Sequence, residues 1–332
     1  VFLMDKLMRP FGLSGKSVVP LISGTACAIP AIMSARNIEN TKERLITMLV
    51  TPFATCSARI PVYVIIISLV IPEKTVFGFF SLQALTMAAM YFLGFAMALA
   101  SAWVMKKVID VKEKSYFVIE MPSYKLPLMQ NVFFTVWEKT KDFVLGAGKI
   151  ILALSVVLWF LGSHGPSDTF GKAEEFITVK HQNDGLSDEQ LADEIAGYQL
   201  ESSYIGILGN VVEPVFRPLG YDWKISIAVL TSFAAREVFV GNLATLYNMG
   251  SEGEDEGKMI GKMKAQVRED GTPLFNLGTG VSLLLFYAFA MQCISTIAVT
   301  KKETNSWKWT MIQVVFMTVL AYGSALLAYQ IL

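Results

Sequence analysis

Histidine, cysteine and charge are all scarce in this 332-residue chain. It has two histidines and three cysteines, and its charged residues amount to 17% against 53% hydrophobic. An ordinary soluble domain carries about 25% charged residues. The scarcity is concentrated: residues 277–300 and 309–332 hold no Asp, Glu, Lys or Arg, and residues 45–105 hold only Arg59, Glu73 and Lys74. Uncharged apolar stretches of about 18 residues or more read as membrane spans. A soluble globular enzyme and a disordered chain are thereby excluded. Three cysteines, an odd number in apolar surroundings, exclude a secreted disulfide scaffold. The 28 basic residues balance 28 acidic ones, so the basic surplus of a nucleic-acid binder is missing.

Catalytic signatures are missing too. Gly12-Leu13-Ser14-Gly15-Lys16-Ser17 imitates a phosphate loop, but Pro10 stands where the pattern needs glycine and no strand precedes it. Gly146-Ala147-Gly148-Lys149 fails in the same way, and neither His-Glu-x-x-His nor Gly-x-Ser-x-Gly occurs. The chain opens on Val1 with no basic n-region or cleavage site, and reads as a segment of a longer polypeptide.

What is present is a series of apolar segments, several of them broken. Residues 1–16 read as an interfacial segment. Residues 17–72 form a first broken region, interrupted by Pro20, Gly24, Pro30, Pro52, Arg59 and Pro61. Residues 73–105 supply a clean span. Residues 106–145, with seven lysines against five acidic residues, read as a basic cytoplasmic linker whose part 128–145 suits an amphipathic interfacial helix. Residues 146–162 form a further span. Residues 163–201 carry nine acidic residues, Lys172, Lys180 and both histidines, His164 and His181. This acidic loop belongs outside by the positive-inside rule, and its histidines read as solvated. Residues 202–300 form a second broken region with a charged loop at 250–272, and 301–332 the last span. Lys301, Lys302 and Lys308 are not placed by this scheme.

Lipid-exposed backbone cannot stay unpaired in hydrocarbon, so a helix broken at membrane depth is buried in protein or lines a wet cavity. Two such regions in one chain point to a transporter site at the junction of repeated halves. The halves share a faint likeness: Phe53-Ala54-Thr55-Cys56 matches Phe289-Ala290-Met291-Gln292-Cys293 with one insertion, and Thr25-Ala26-Cys27 matches Phe233-Ala234-Ala235.

All three cysteines lie in these regions, beside breaks or small polar residues. A lone membrane cysteine is ordinarily a small packing residue. Three together, with hydroxyl, thioether and carbonyl neighbours, suit a borderline-soft transition metal better than Mg²⁺ or Ca²⁺. Arg59 lies three residues after Cys56, on the same helical face. Two readings of it stand: a guanidinium that favours the metal-ligating thiolate, or one that snorkels to the interface. Arg236-Glu237 lies inside an apolar segment, where charges mark function by default or else pair to hold helices in register. Glu237 is placed to bind a cation and Arg236 to neutralise a carboxylate or a carbonyl end.

The strings Ser23-Gly24-Thr25-Ala26-Cys27-Ala28-Ile29-Pro30-Ala31-Ile32-Met33, Glu43-Arg44-Leu45, Thr51-Pro52-Phe53 and Cys56-Ser57-Ala58-Arg59-Ile60-Pro61-Val62-Tyr63 resemble the first gate of the ferrous iron transport protein B family. The block from Ser232 to Tyr247 resembles its second gate, and Phe289 to Cys293 and Ser306-Trp307-Lys308-Trp309 fit its last segments. The resemblance implies an all-α polytopic transmembrane domain with two gate pseudo-repeats containing broken or re-entrant helices. It implies import of Fe²⁺ across the bacterial cytoplasmic membrane, with GTP and Mg²⁺ handled by an N-terminal GTPase domain outside this chain. The partners it brings are Fe²⁺, the lipid bilayer, that GTPase domain, small cytoplasmic accessory proteins and a homo-oligomer, with no nucleic acid. The metal ligands expected from it are Cys27, Cys56 and Cys293. Burial adds Glu237 to them, and Arg59, Arg236, Met291 and Gln292 as gate or pathway support. The rival readings are a gate-type carrier of another divalent metal or a nucleoside-like solute, and a membrane scaffold that transports nothing. No enzyme activity is expected of this chain itself.

Overall fold

The computed structural model describes residues 2–76, 80–109, 128–165, 176–178, 201–233, 271–291 and 293–332, together with positions 191, 195, 197–199, 236, 239–241, 243, 260–261, 263–264 and 266–267. Much of the acidic loop 163–201, including His181, and of the charged loop 250–272 lies outside the described residues.

The described chain is helical, apart from a pair of two-residue antiparallel strands, β1 (Thr75–Val76) and β2 (Phe80–Ser81). Among the described residues, four continuous or near-continuous helical stretches are long and apolar enough to cross a membrane: Thr41–Val70, Leu82–Val108, Leu277–Thr304 and Trp307–Ile331. At 1.5 Å per residue each spans a hydrocarbon core of about 30 Å. The first comprises α4 (Thr41–Val50) and α5 (Ile60–Val70), which follow α1 (Phe2–Met8), α2 (Val18–Ser23) and α3 (Ala28–Ser34). The second is α6 (Leu82–Val108). Helix α7 (Met129–Ser163) carries the stretches 128–145 and 146–162 as one helix. Large apolar side chains such as Phe133, Trp137, Leu152 and Trp159 are exposed on it, as befits a lipid-facing surface. His164, just past its end, stacks on Phe160. Then come α8 (Tyr204–Phe216), α9 (Trp223–Thr231), α10 (Leu277–Phe289), α11 (Ile294–Thr304) and α12 (Trp307–Ile331).

Helices α2 and α3, of six and seven residues, are each too short to cross. Lys16 Nζ bonds Glu39 Oε1 at 2.8 Å, so the chain between them enters and leaves on the same face. Residues 17–38 are therefore re-entrant, with Gly24–Cys27 at the tip. In the second half, Trp223, at the start of α9, and Val267 line one cavity with Asp222, Leu274 and Tyr329, so the chain stands at one face at both positions, and α10 starts from that face. The halves are inverted relative to each other, and their registers agree. Asn40 and Asn276 cap α4 and α10 by accepting from the backbone N–H three residues on. Each is followed thirteen residues later by a phenylalanine, Phe53 and Phe289, and these two rings pack edge to face with centroids 6.4 Å apart.

One face collects the basic residues. Lys106 Nζ, at the end of α6, bonds the carbonyls of Arg9 and Pro10 at 3.3 and 3.2 Å. Arg36 Nε bonds Glu303 Oε2 at 2.6 Å, at the end of α11. These contacts bring Lys16, Arg36, Lys42, Arg44, Lys106 and Lys107 to the same side as Lys301, Lys302 and Lys308. These contacts place the last three lysines, and such a crowding of basic residues on one side is the pattern that the positive-inside rule describes.

Gly94, in the middle of α6, lets this helix approach the break between α4 and α5. A Cβ added there would lie 2.8 Å from Thr55 Oγ1 and 2.9 Å from the Phe53 carbonyl oxygen, whereas one added at Gly323 would meet nothing within 4 Å. Gly94→Val is expected to lower stability by about 1–3 kcal/mol through overpacking, and Gly323→Ala to leave it unchanged or slightly raised. Thermal unfolding in detergent checks both.

Candidate functional site

Four interruptions lie next to one another. The first is the tip Gly24–Cys27. The second is Ala54–Cys56, between the 3-10 turns Thr51–Phe53 and Ser57–Arg59. The third follows α9 at Ser232, and the fourth is Ala290–Cys293, between α10 and α11. Backbone bonds tie them in pairs: Ser57 N donates to the Ala26 carbonyl at 3.3 Å, and Ile294 N to the Phe233 carbonyl at 3.1 Å. Since Ser57 and Ile294 each follow the matched cysteine, these bonds pair Ala26 with Phe233. That is one residue away from the match of Thr25 with Phe233 read from the sequence, so this half of the repeat carries a shifted register.

The three cysteines occupy one structural position three times. Cys27, Cys56 and Cys293 each stand, extended, at the N-cap of the helical turn that resumes after a break. None of the three is in a disulfide, and all are partly exposed. They sit on three different breaks, and among the described residues no three His, Cys, Asp or Glu side chains gather into a ligand set. Glu237 and Gln292 lie outside the described residues. Met291 is buried at the fourth break.

Pro52 explains the second break and what surrounds it. Proline has no N–H, so the carbonyl four residues back loses its helical partner. Gln313 Nε2, from α12, donates to the Met48 and Leu49 carbonyls at 3.3 and 2.8 Å. Arg59 is wholly buried, and it donates to the carbonyls of Pro52 at 3.0 Å, Phe53 at 3.2 Å and Ala54 at 3.4 Å. The snorkelling reading of Arg59 is thereby overturned: its guanidinium points inward because three orphaned carbonyls lie there. Arg236 plays the matching part at the fourth break. Its Nη2 donates to the Ala290 carbonyl at 2.9 Å, the counterpart of Ala54, while its Nη1 lies 4.0 Å from Cys56 Sγ. One guanidinium thus joins a carbonyl of the second half to a sulfur of the first.

Sequence reading missed Gln313 and Gly94. The signals available were an amide deep in an uncharged span and a glycine in the interior of a long helix. Neither names its partner.

Comparison with known proteins accords with this architecture. A family model described as "Gate: Nucleoside recognition" matches residues 1–70 and 144–307. A second, "Ferrous iron transport protein B C terminus", matches residues 87–139. The chain belongs to the Gate family, and the two matches together are those of the membrane part of a ferrous iron transport protein B. It is 45% identical over 330 residues to an Fe(2+) transporter FeoB of Leptospira biflexa and 34% identical over 330 residues to one of Staphylococcus aureus; these alignments cover 99% of the chain and 45% and 42% of the relatives. It is also 35% identical, over 99% of its length, to a fusion of Fe(2+) transport protein A with Fe(2+) transporter FeoB from Porphyromonas gingivalis, 39% of which is covered. The chain thus spans less than half the length of these relatives. No solved structure matches.

Arg59→Leu is expected to leave its buried carbonyls unpaired and to cost about 3 kcal/mol or more, since each such group costs about 1–3 kcal/mol. Arg59→Lys, with a single ammonium in place of the fork, should recover only part of this. Thermal unfolding of the two variants side by side measures the difference.

Proposed function

We propose that this chain is the membrane pathway by which Fe²⁺ enters the bacterial cytoplasm across the inner membrane, gated by a GTPase domain of the longer polypeptide. The observation that carries the reading is the threefold recurrence of cysteine at the resuming turn of a broken helix. Sulfur favours a borderline-soft cation over Mg²⁺ or Ca²⁺. Backbone broken at membrane depth is the usual setting of a transporter's ion site. The names of the relatives point to the same ion. With the sulfurs on three separate breaks, the ion moves between sites of moderate affinity, as conduction requires.

The conformation described is closed in this reading. Arg236 sits against Cys56 Sγ and the Ala290 carbonyl, groups that a passing cation would engage, and Arg59 occupies the carbonyls of the second break. A divalent ion reaches Cys56 only when the Arg236 guanidinium moves off it. Nucleotide-driven rearrangement of the gates supplies that motion, and a small accessory protein of the kind fused to the Porphyromonas relative acts on the same step. A nucleoside-like solute is the second reading, favoured by the description of the Gate family model.

Uptake of Fe²⁺ into liposomes carrying the full natural polypeptide tests the proposal. Replacing Cys27, Cys56 and Cys293 together by serine is expected to cut GTP-dependent uptake at least about ten-fold, since oxygen is the poorer ligand for this ion. Uptake unchanged by the triple replacement refutes the role of sulfur, and uptake of a nucleoside in place of iron refutes the ion.

A further inference from the structure

The last helical hairpin, α11 and α12, holds buried polar atoms that its own structure does not use. Helical threonines in this protein often return the hydroxyl to a carbonyl four residues back: Thr304 and Thr310 in this hairpin and Thr47 and Thr51 in the first half do so at 2.6–3.0 Å. Thr300 does not. It is fully buried, and its Oγ1 has no hydrogen-bond partner. The same holds for Ser295 Oγ, at 1% exposure, and for the Oε1 of the fully buried Gln313, whose amide nitrogen is engaged at α4. A buried hydroxyl or amide oxygen left unpaired costs about 1–3 kcal/mol. Native proteins keep such groups where water or an ion completes them.

Their placement is ordered. Ser295 stands two residues after Cys293 at the fourth break. Thr300 lies six residues before Ser306, at the turn of the hairpin, and Gln313 seven residues after it. Both therefore lie about 10 Å above the turn, at one depth. Glu303, three residues past Thr300 and so on a neighbouring part of the same helical face, is almost fully buried and closed by the half-exposed Arg36. The series starts at a sulfur site and ends at the basic face.

We propose that Ser295, Thr300 and Gln313, with Glu303 at the basic end, form an oxygen-lined exit along which a divalent cation, partly hydrated, leaves the sulfur sites for the cytoplasm. This rests on the iron reading above. Neutral oxygens hold Fe²⁺ more weakly than sulfur does, so the ion gains water as it moves outward and does not lodge. Glu303 takes the ion last, in exchange for Arg36.

The test uses the full natural polypeptide in liposomes, with Fe²⁺ kept reduced by ascorbate outside and a ferrous chelator trapped inside. Thr300→Val removes one oxygen at nearly constant volume and breaks no hydrogen bond of the closed structure. A residue there for packing alone would tolerate it. As an exit residue, it is expected to lower the maximal uptake rate about ten-fold, with half-saturation changed less than about two-fold and the unfolding temperature unchanged or raised. Thr300→Ser restores the rate, and Ser295→Ala reproduces the defect independently of any folding fault at Thr300. Wild-type maximal rates in Thr300→Val and Ser295→Ala overturn the exit and leave the iron reading standing. Absence of Fe²⁺ uptake by the unsubstituted protein overturns both.

Discussion

A broken helix inside a membrane leaves carbonyl oxygens without donors, and hydrocarbon offers none. Every other feature at the centre of this protein follows from how that shortage is met. Pro52 removes one N–H, and the extended residues Ala54–Cys56 remove further helical partners. Gln313 then serves Met48 and Leu49, and Arg59 serves Pro52, Phe53 and Ala54. A charge is thereby drawn into an apolar interior, at a desolvation cost that only several simultaneous bonds offset. Arg236 meets the same demand at Ala290 and in doing so comes against Cys56. In the proposed transport reading, the groups that keep the breaks intact are the ones that stand in the way of a cation.

Inversion of the two halves shows in where their broken spans start. The first follows a segment that dips from the basic face and runs on from that side, and the second starts from the opposite face. The inter-break bonds from Ser57 to Ala26 and from Ile294 to Phe233 are the same bond made twice, once in each half.

Much of this was written in the sequence, unevenly. Runs poor in charge underlie the four long apolar helices, and Pro52, Gly24 and the cysteines lie at the breaks. The repeat was visible at Phe53 and Phe289, where side chains match. Near Cys27 it slipped by one residue, since there only backbone bonds define the equivalence. Arg59 was legible as an arginine on the face of Cys56. Its depth was not, because spacing fixes the direction of a side chain around a helix and says nothing of what lies opposite. Gln313 was beyond reach for a similar reason: the carbonyls it satisfies are more than 260 positions away in the chain. The basic residues near 301–308 resisted placement until the pairing of Arg36 with Glu303 put them beside the first half.

The inverted backbone has one more consequence. Where two halves run in opposite senses through a membrane, the main chain of their broken spans by itself favours neither direction of passage. Direction has to come from whatever spoils the symmetry. Here that is a matter of side chains: two cysteines in the first half against one in the second, an arginine that bonds its own break against one that also reaches across, and lysines crowded on a single face. Vectorial behaviour in such a protein belongs to a few residues laid over a frame that has none.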